Sequence, residues 1–193
     1  MNNYYDKRRV VITGLGAVTP IGIGIEAFWN SLKEGKSGIR NITCFDASTF
    51  PSKVAGEVMD FDPTDYMEPH SAKKMGRFAH FAVVSAQMAV KDAGLKIDET
   101  NAYKVGLIVG SAMGGIPLAE TQHNIFIEKG LKRVSPYLNS SLFPGAAASQ
   151  ISIALGIKGF GNTIAGACST GVDSVGYAYH CIKNSIMDIC SFE

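Results

Sequence analysis

The chain has 193 residues, of which 46% are hydrophobic and 18% charged, and its formal net charge is +1. This balance is typical of a globular protein that forms one domain, or one large piece of something bigger, and it excludes an intrinsically disordered chain. The small net charge gives no global attraction to nucleic acid. No apolar run approaches the roughly 18 residues that a membrane span needs.

The cysteines and histidines argue against a zinc site and a disulfide framework. There is no CxxC pair and no histidine at zinc-ligand spacing among the four cysteines Cys44, Cys168, Cys181 and Cys190. Residues 1–9 are polar and basic and lead directly into a predicted strand, which is unlike a signal peptide. We therefore expect a cytoplasmic protein with reduced thiols and no bound metal.

The chain begins with a predicted strand and a glycine turn. Arg8–Thr13 is a short run rich in β-branched residues, which predicts a buried strand, and Gly14 and Gly16 follow it. This arrangement is similar to the start of a dinucleotide-binding turn. That interpretation fails because Thr19 stands where the third glycine of the motif is needed, and Pro20 follows.

The rest of the chain alternates between predicted helices and strands. Helical spacing of apolar residues predicts helices over Ile25–Lys33, Arg77–Ala93 (with Ser71 as a candidate cap), Ile116–Glu128, Leu142–Leu155 and Val172–Ile182. A buried strand is predicted at Lys104–Val109 and a further strand at Phe160–Ala165, whereas residues 39–69 predict loops and edge strands. This alternation predicts an α/β layered fold in which helices cover a mainly parallel sheet.

Cys168 lies between the last predicted strand and the last predicted helix, in the small-residue stretch Gly161–Gly171. Small residues permit a sharp turn, and the first turn of a helix favours a thiolate through its unpaired N–H groups and its dipole. This geometry suits a cysteine nucleophile. A buried, inert cysteine in a packing position is the alternative, and the residues alone leave both interpretations open.

Six short motifs occur in order along nearly the whole chain. They are Arg8–Gly16 (RRVVITGLG), Gly35–Ile39 (GKSGI), Phe45–Asp46, Val105–Gly106 with Gly110–Gly115 (GSAMGG), Ser135–Pro136, and Ala167–Gly171 (ACSTG). Together they resemble the N-terminal half of a β-ketoacyl-acyl-carrier-protein synthase, closest to the type II condensing enzymes of fatty acid synthesis. The resemblance implies that residues 1–193 form the N-terminal half of a thiolase-like fold, and it favours the nucleophile interpretation of Cys168.

The resemblance also implies a reaction. Cys168 would take an acyl group from an acyl-carrier-protein thioester, with its own backbone N–H as one oxyanion donor. A malonyl carrier protein would then lose CO2, and its carbanion would attack the acyl-enzyme to give a 3-oxoacyl product in fatty acid or polyketide biosynthesis. No redox or nucleotide cofactor is implied, and enzymes of this family act as homodimers.

Seven further residues receive roles from the resemblance. Met113 stands where the family shapes its acyl pocket, and Tyr137 stands where the dimer partner contributes to that pocket. The basic residues that would hold the acidic carrier protein are Lys73, Lys74, Arg77, Lys132 and Arg133. Ordinary packing of Met113 and Tyr137, and ordinary solvation of the basic residues, are the alternatives.

The sequence also departs from the family pattern. The family's later segments hold two catalytic histidines, a lysine and a gating phenylalanine, and we expect the 193-residue chain to lack that C-terminal half. The four histidines match no catalytic position, and residues 188–193 are expected to break the pattern of a strand followed by two glycines. We therefore expect exposed apolar surface, aggregation or dependence on a partner chain, and an incomplete enzyme.

Two other functions stay open. One is a non-catalytic half-domain that binds a carrier protein or a synthase subunit. The other is a thiolase-fold enzyme that acts on coenzyme A esters, although the basic pair Lys73 and Lys74 favours a carrier protein.

Overall fold

The computed structural model describes residues 8–192, and for Phe192 it describes the backbone alone. The helices are α1 (Ile25–Lys33), α2 (Pro69–Ala72), α3 (Arg77–Asp92), α4 (Ile116–Lys129), α5 (Leu138–Leu142), α6 (Ala146–Leu155) and α7 (Thr170–Lys183). The strands are β1 (Val18–Thr19), β2 (Gly22–Ile23), β3 (Ile39–Asn41), β4 (Val54–Gly56), β5 (Val105–Gly110), β6 (Gly161–Ile164) and β7 (Ile189–Phe192). Short 3-10 helices cover Pro63–Asp65, Leu131–Arg133 and Ala167–Ser169. Most of the N-terminal segment judged unlike a signal peptide, together with Glu193, lies outside the described residues.

A three-stranded parallel sheet with the order β6-β5-β7 forms the centre of the described chain. In its registers Leu107 of β5 lies opposite Gly161 of β6, and Val105 of β5 lies opposite Ile189 of β7. β5 reads VGLIVG and is buried along nearly its whole length, as expected of a parallel strand covered on both faces. The pairs β1–β2 and β3–β4 are antiparallel and separate from this sheet.

Helices cover both faces of β5. Leu107 packs into one hydrophobic cluster with Val83 of α3 and Ile151 of α6. Successive residues of a strand point to opposite faces, so the fully buried Ile108 faces the other side, where α7 packs on β5 and β7. The predicted α/β fold with a helix-covered parallel sheet is therefore confirmed.

The prediction that Arg8–Thr13 forms a buried strand is wrong. The segment has no strand pairing, and the side chains of Val11 and Ile12 are both 64% exposed. The edge of β5 opposite β6 pairs with β7. Gly14 and Gly16 hold the segment close to α3. A Cβ on Gly14 would lie 2.2 Å from the carbonyl oxygen of Ala89, and a Cβ on Gly16 would lie 2.0 Å from that of Ser85. Residues 8–16 line a cavity of about 830 Å³ together with residues of α3, α7 and β7.

Most other predicted elements are confirmed within a few residues, including α1, α3, α4, β5, β6 and α7. Ser71 was expected to cap α3 but lies inside the separate short helix α2, and Gly76 precedes α3 instead. The helix predicted over Leu142–Leu155 begins only at Ala146, after a break at Phe143–Gly145. The tail also differs from the expectation, because residues 189–192 do form a strand.

Candidate active site

Cys168 lies in a tight turn between β6 and α7. β6 ends at Ile164, a 3-10 turn covers Ala167–Ser169, and α7 begins at Thr170. Ala167 has φ of 53°, a left-handed conformation that costs a residue with a Cβ about 1–2 kcal/mol. The thiol of Cys168 is exposed. The turn thus presents a reachable sulfur at the N-terminal end of a 14-residue helix.

Side-chain hydrogen bonds hold this turn in place. The backbone N–H of Gly166 donates to Oγ1 of Thr170 at 2.8 Å. Oγ of Ser169 lies 2.9 Å from the carbonyl oxygen of Gly166 and 2.7 Å from Oδ2 of Asp173. A Cβ on Gly166 would lie 2.6 Å from that same carboxylate oxygen, so a side chain there would displace the Asp173 carboxylate from its bond to Ser169. These contacts fix the backbone on both sides of Cys168.

Met113 lies in the glycine-rich loop that follows β5, next to the Cys168 turn. The N–H of Ser111 in this loop donates to the carbonyl of Ile164 at 3.0 Å, which joins the two loops where the neighbouring strands end. Carboxyl ends of parallel strands are where α/β folds place their ligands. Gly114 has φ of 57°, and the Met113 side chain is 65% exposed. Met113 and Cys168 therefore share one edge of the sheet, and Met113 is not a core residue.

Tyr137 and Lys74 come together although they are far apart in sequence. The ammonium of Lys74 lies over the Tyr137 ring, 5.4 Å from its centre, and the Ser141 hydroxyl donates to the Lys74 carbonyl. Tyr137 precedes α5, whose other end at Leu142 accepts a hydrogen bond of 2.7 Å from the N–H of Gly115. One predicted carrier-protein residue thus touches one predicted pocket residue.

The remaining basic residues differ in their surroundings. Lys73 at the end of α2 is exposed, as are Lys132 and Arg133 in the 3-10 helix after α4. Arg77 is also exposed, but its guanidinium donates to the carbonyl of Val58 at 2.6 Å and stacks on aromatic rings. Arg77 therefore has a structural role that the sequence did not reveal.

The three other cysteines are less suited to nucleophilic attack. Burial raises the pKa of Cys181 on α7. Burial and, second, the neighbouring Cys181 raise the pKa of Cys190 on β7 to about 12. A hydrogen bond to Glu57 raises the pKa of the exposed Cys44. Within residues 8–192, no group of three or more His, Cys, Asp or Glu is placed to hold a metal ion.

Comparison with known proteins identifies the family. Residues 7–190 match the model of the β-ketoacyl synthase N-terminal domain. The chain belongs to the β-ketoacyl synthase family. Similar curated proteins are the 3-oxoacyl-[acyl-carrier-protein] synthases 2 of Synechocystis sp., 42% identical over 179 residues, and of Coxiella burnetii, 41% identical over 183 residues.

The matches cover nearly all of this chain but less than half of the β-ketoacyl synthases it resembles. The alignments span 93% and 95% of the chain, and 43% and 44% of the Synechocystis and Coxiella proteins. Among solved structures, the ishigamide ketosynthase/chain length factor matches with a TM-score of 0.86 and 33% identity, covering 95% of this chain and 46% of that one. The fold is therefore the thiolase-like fold of ketosynthases, represented here by its N-terminal half.

A second solved structure contains a carrier protein. It is a type II PKS acyl-carrier protein in complex with its ketosynthase, and it matches with a TM-score of 0.80 and 25% identity, covering 97% of this chain and 51% of that chain. In the described part of the present chain, no helix is both long and apolar enough to cross a membrane.

Sequence reasoning found the Cys168 turn but missed the residues that hold it. Ser169 and Asp173 are four positions apart at the start of a helix, the spacing at which side chains meet. That spacing is the signal that could have identified the pair. The packing of Arg77 had no such signal, because Val58 lies 19 positions earlier in a loop.

Proposed function

We propose that this chain carries the acyl-cysteine half of a 3-oxoacyl-acyl-carrier-protein synthase, acting in fatty acid or polyketide biosynthesis. The observation that carries the proposal is the exposed Cys168 in its strained turn between β6 and α7. A thiol in this position is accessible to an incoming thioester.

In the first step the thiolate of Cys168 attacks the thioester carbonyl of an acylated carrier protein. A carbon–sulfur bond forms to Cys168, the bond to the carrier's sulfur breaks, and the carrier leaves as its thiolate. The carbonyl oxygen becomes negative in the intermediate, and the backbone N–H of Cys168 serves as one donor to it. The turn supports this step because an oxyanion donor acts best when its position is fixed in advance.

In the second step a malonyl carrier protein loses CO2 and its carbanion attacks the acyl group on Cys168. A carbon–carbon bond forms, the bond to the Cys168 sulfur breaks, and the 3-oxoacyl product leaves on the carrier. In the family, the groups that promote decarboxylation are expected in segments that follow the matched N-terminal half. Residues 1–193 would therefore supply the acyl transfer and not the complete reaction. This chemistry uses no redox or nucleotide cofactor.

We propose an acyl carrier protein as the macromolecular substrate. Lys73, Lys132 and Arg133 are exposed, and Lys74 extends over Tyr137, so these basic groups are available to an acidic partner. Met113 and Tyr137 would line the acyl pocket, with Tyr137 reaching the pocket of the second protomer. Arg77 contributes to the same surface while it also packs internally.

We also propose a homodimer. α4 has no buried residue, and its side chains Phe126 and Ile127 are 46% and 68% exposed. Leu131, directly after α4, is 74% exposed. An apolar surface of this kind is typical of a protein interface. Light scattering after size-exclusion chromatography should give twice the mass of the chain, and Ile127→Lys should lower this mass.

A cytoplasmic location stays a prediction from the sequence.

Mass spectrometry of the intact chain after incubation with an acyl-carrier-protein thioester tests the proposal. The wild type and Cys44→Ala should each gain one acyl group, whereas Cys168→Ala should gain none. Cys44→Ala is the matched control because Cys44 is the other exposed thiol. A wild-type chain that binds the carrier protein but gains no acyl group would indicate a non-catalytic half-domain, and equal acylation from the coenzyme A ester would contradict the carrier-protein substrate.

A further inference from the structure

Asp173 lies on the first turn of α7, beside the Cys168 turn, and neither the sequence motifs nor the proposed mechanism assigns it a role. Its Oδ2 is 2.7 Å from Oγ of Ser169, the residue directly after the candidate nucleophile. The same Oδ2 would lie 2.6 Å from a Cβ on Gly166. The carboxylate therefore lies beside the turn, on an exposed face of α7.

The Ser169 hydroxyl has one hydrogen and two acceptors within reach. One is the carboxylate of Asp173, and the other is the carbonyl of Gly166 at 2.9 Å. A charged acceptor makes the shorter and stronger bond, so the hydroxyl donates to Asp173. This bond ties the residue after Cys168 to the body of α7. Without it, the hydroxyl would turn to the Gly166 carbonyl, inside the turn itself.

We propose that Asp173 is a positioning residue for acyl transfer to Cys168, an inference that rests on the proposed function of that thiol. By anchoring Ser169, Asp173 fixes the peptide between Cys168 and Ser169 and, with it, the direction in which the sulfur and the Cys168 N–H point. Acyl transfer needs both groups aligned on one carbonyl, because the oxygen becomes charged as the sulfur attacks. Simple alkylation of the thiol needs only an accessible sulfur.

The bond between Ser169 and Asp173 is more than a helix cap. Ser169 precedes α7, yet its side chain makes no capping bond to the helix backbone. A carboxylate in the first turn also stabilises a helix through its dipole, but that effect depends on charge alone. Asparagine at position 173 removes the charge and keeps an oxygen that accepts from Ser169. The variants Asp173→Asn and Asp173→Ala therefore separate the hydrogen bond from the charge.

The test compares two reactions of the full chain at Cys168. In the first, p-nitrophenyl acetate acylates the thiolate: the carbon–sulfur bond forms, the ester bond breaks, and p-nitrophenolate leaves with the electron pair. In the second, iodoacetamide alkylates the same sulfur. Both rates are followed by mass spectrometry at several pH values in the wild type, Asp173→Ala, Asp173→Asn and Ser169→Ala. The small ester needs no carrier protein, so failure of carrier acylation leaves the comparison intact.

We expect Asp173→Ala and Ser169→Ala to acetylate about five- to tenfold more slowly than the wild type, the typical net effect of one hydrogen bond at an exposed position. Alkylation should change less than about twofold, which shows that the sulfur stays accessible, and Asp173→Asn should recover most of the acetylation rate. Equal acetylation of the wild type and Asp173→Ala would overturn the proposal. So would an equal slowing of both reactions, or an Asp173→Asn variant as slow as Asp173→Ala.

Discussion

The guanidinium of Arg77 lies over the ring of Phe81, with its central carbon 4.9 Å from the ring centre. It also lies 5.6 Å from the centre of the Phe61 ring and donates to the carbonyl of Val58. These contacts tie the first turn of α3 to the loop after β4. A residue predicted to hold a carrier protein thus holds the protein's own loop.

Replacing Arg77 by alanine should lower the free energy of unfolding by about 1–2 kcal/mol, from the lost cation–π contact and the lost hydrogen bond. Lys73→Ala is the matched control, because Lys73 is an exposed basic residue on the neighbouring helix and should change stability by less than about 0.5 kcal/mol. Urea unfolding measures both. Equal midpoints for the two variants would show that the Arg77 contacts do not stabilise the loop.

Sequence patterns succeeded where local chemistry decides the structure. The VGLIVG run of β5 and the apolar spacing of α3 predict these two elements correctly. In both, the apolar residues of the pattern are the ones that pack against neighbouring elements. Arg8–Thr13 shows the limit of that reasoning. Its β-branched residues suit a strand, but Gly14 and Gly16 lie against the backbone of α3, a contact between distant segments that local β propensity does not report.

The candidate site shows the same division. The small residues around Cys168 predict a sharp turn, and the turn is present. The contact between Lys74 and Tyr137 was beyond reach, because 62 intervening residues separate the two and only the contact of the turn after α2 with α5 brings them together. Long-range side-chain contacts of this kind leave no periodic signal in the sequence.

Gly166→Ala should distort the Cys168 turn. A Cβ at this position would lie 2.6 Å from Oδ2 of Asp173 and 3.1 Å from Oγ of Ser169. Gly171→Ala is the control, because a Cβ there meets nothing within 4 Å and alanine favours a helix by up to about 1 kcal/mol. Thermal unfolding should rank Gly171→Ala at or above the wild type and Gly166→Ala below it. Acylation of Cys168 should fall in Gly166→Ala alone, and the reverse order would contradict the described geometry.

The four thiols should react with iodoacetamide in a fixed order near pH 8. Cys181 and Cys190 are buried or partly buried, and burial also raises the pKa of both thiols, so they should label much more slowly in the folded chain than after unfolding in urea. Cys168 and Cys44 are exposed and should label in the folded chain. Because the hydrogen bond to Glu57 raises the pKa of Cys44, Glu57→Gln should speed labelling at Cys44 and leave Cys168 unchanged. Peptide mass spectrometry gives each rate, and early labelling of Cys190 would contradict its burial.

Glu57 gives the loop after β3 a dependence on pH. Its carboxylate accepts from the Thr43 hydroxyl at 2.7 Å and from the backbone N–H groups of Thr43 and Cys44. These bonds, those of Thr43 foremost, lower the pKa of Glu57 to about 2. A carboxyl whose pKa is lower in the folded chain stabilises that chain above its unfolded pKa, about 4.3, and loses this effect as the pH falls towards 2.

Glu57→Gln should therefore unfold at lower urea concentration than the wild type at pH 7, and the difference should shrink below about pH 4 and vanish near pH 2. The control is Glu99→Gln, which removes the same charge from an exposed turn. It should give a small difference from the wild type at neutral pH, because a solvated carboxylate has no preference for the folded chain. Urea midpoints measured from pH 7 to pH 2 decide the matter: a constant gap between Glu57→Gln and the wild type would show that its hydrogen bonds do not depend on the charge.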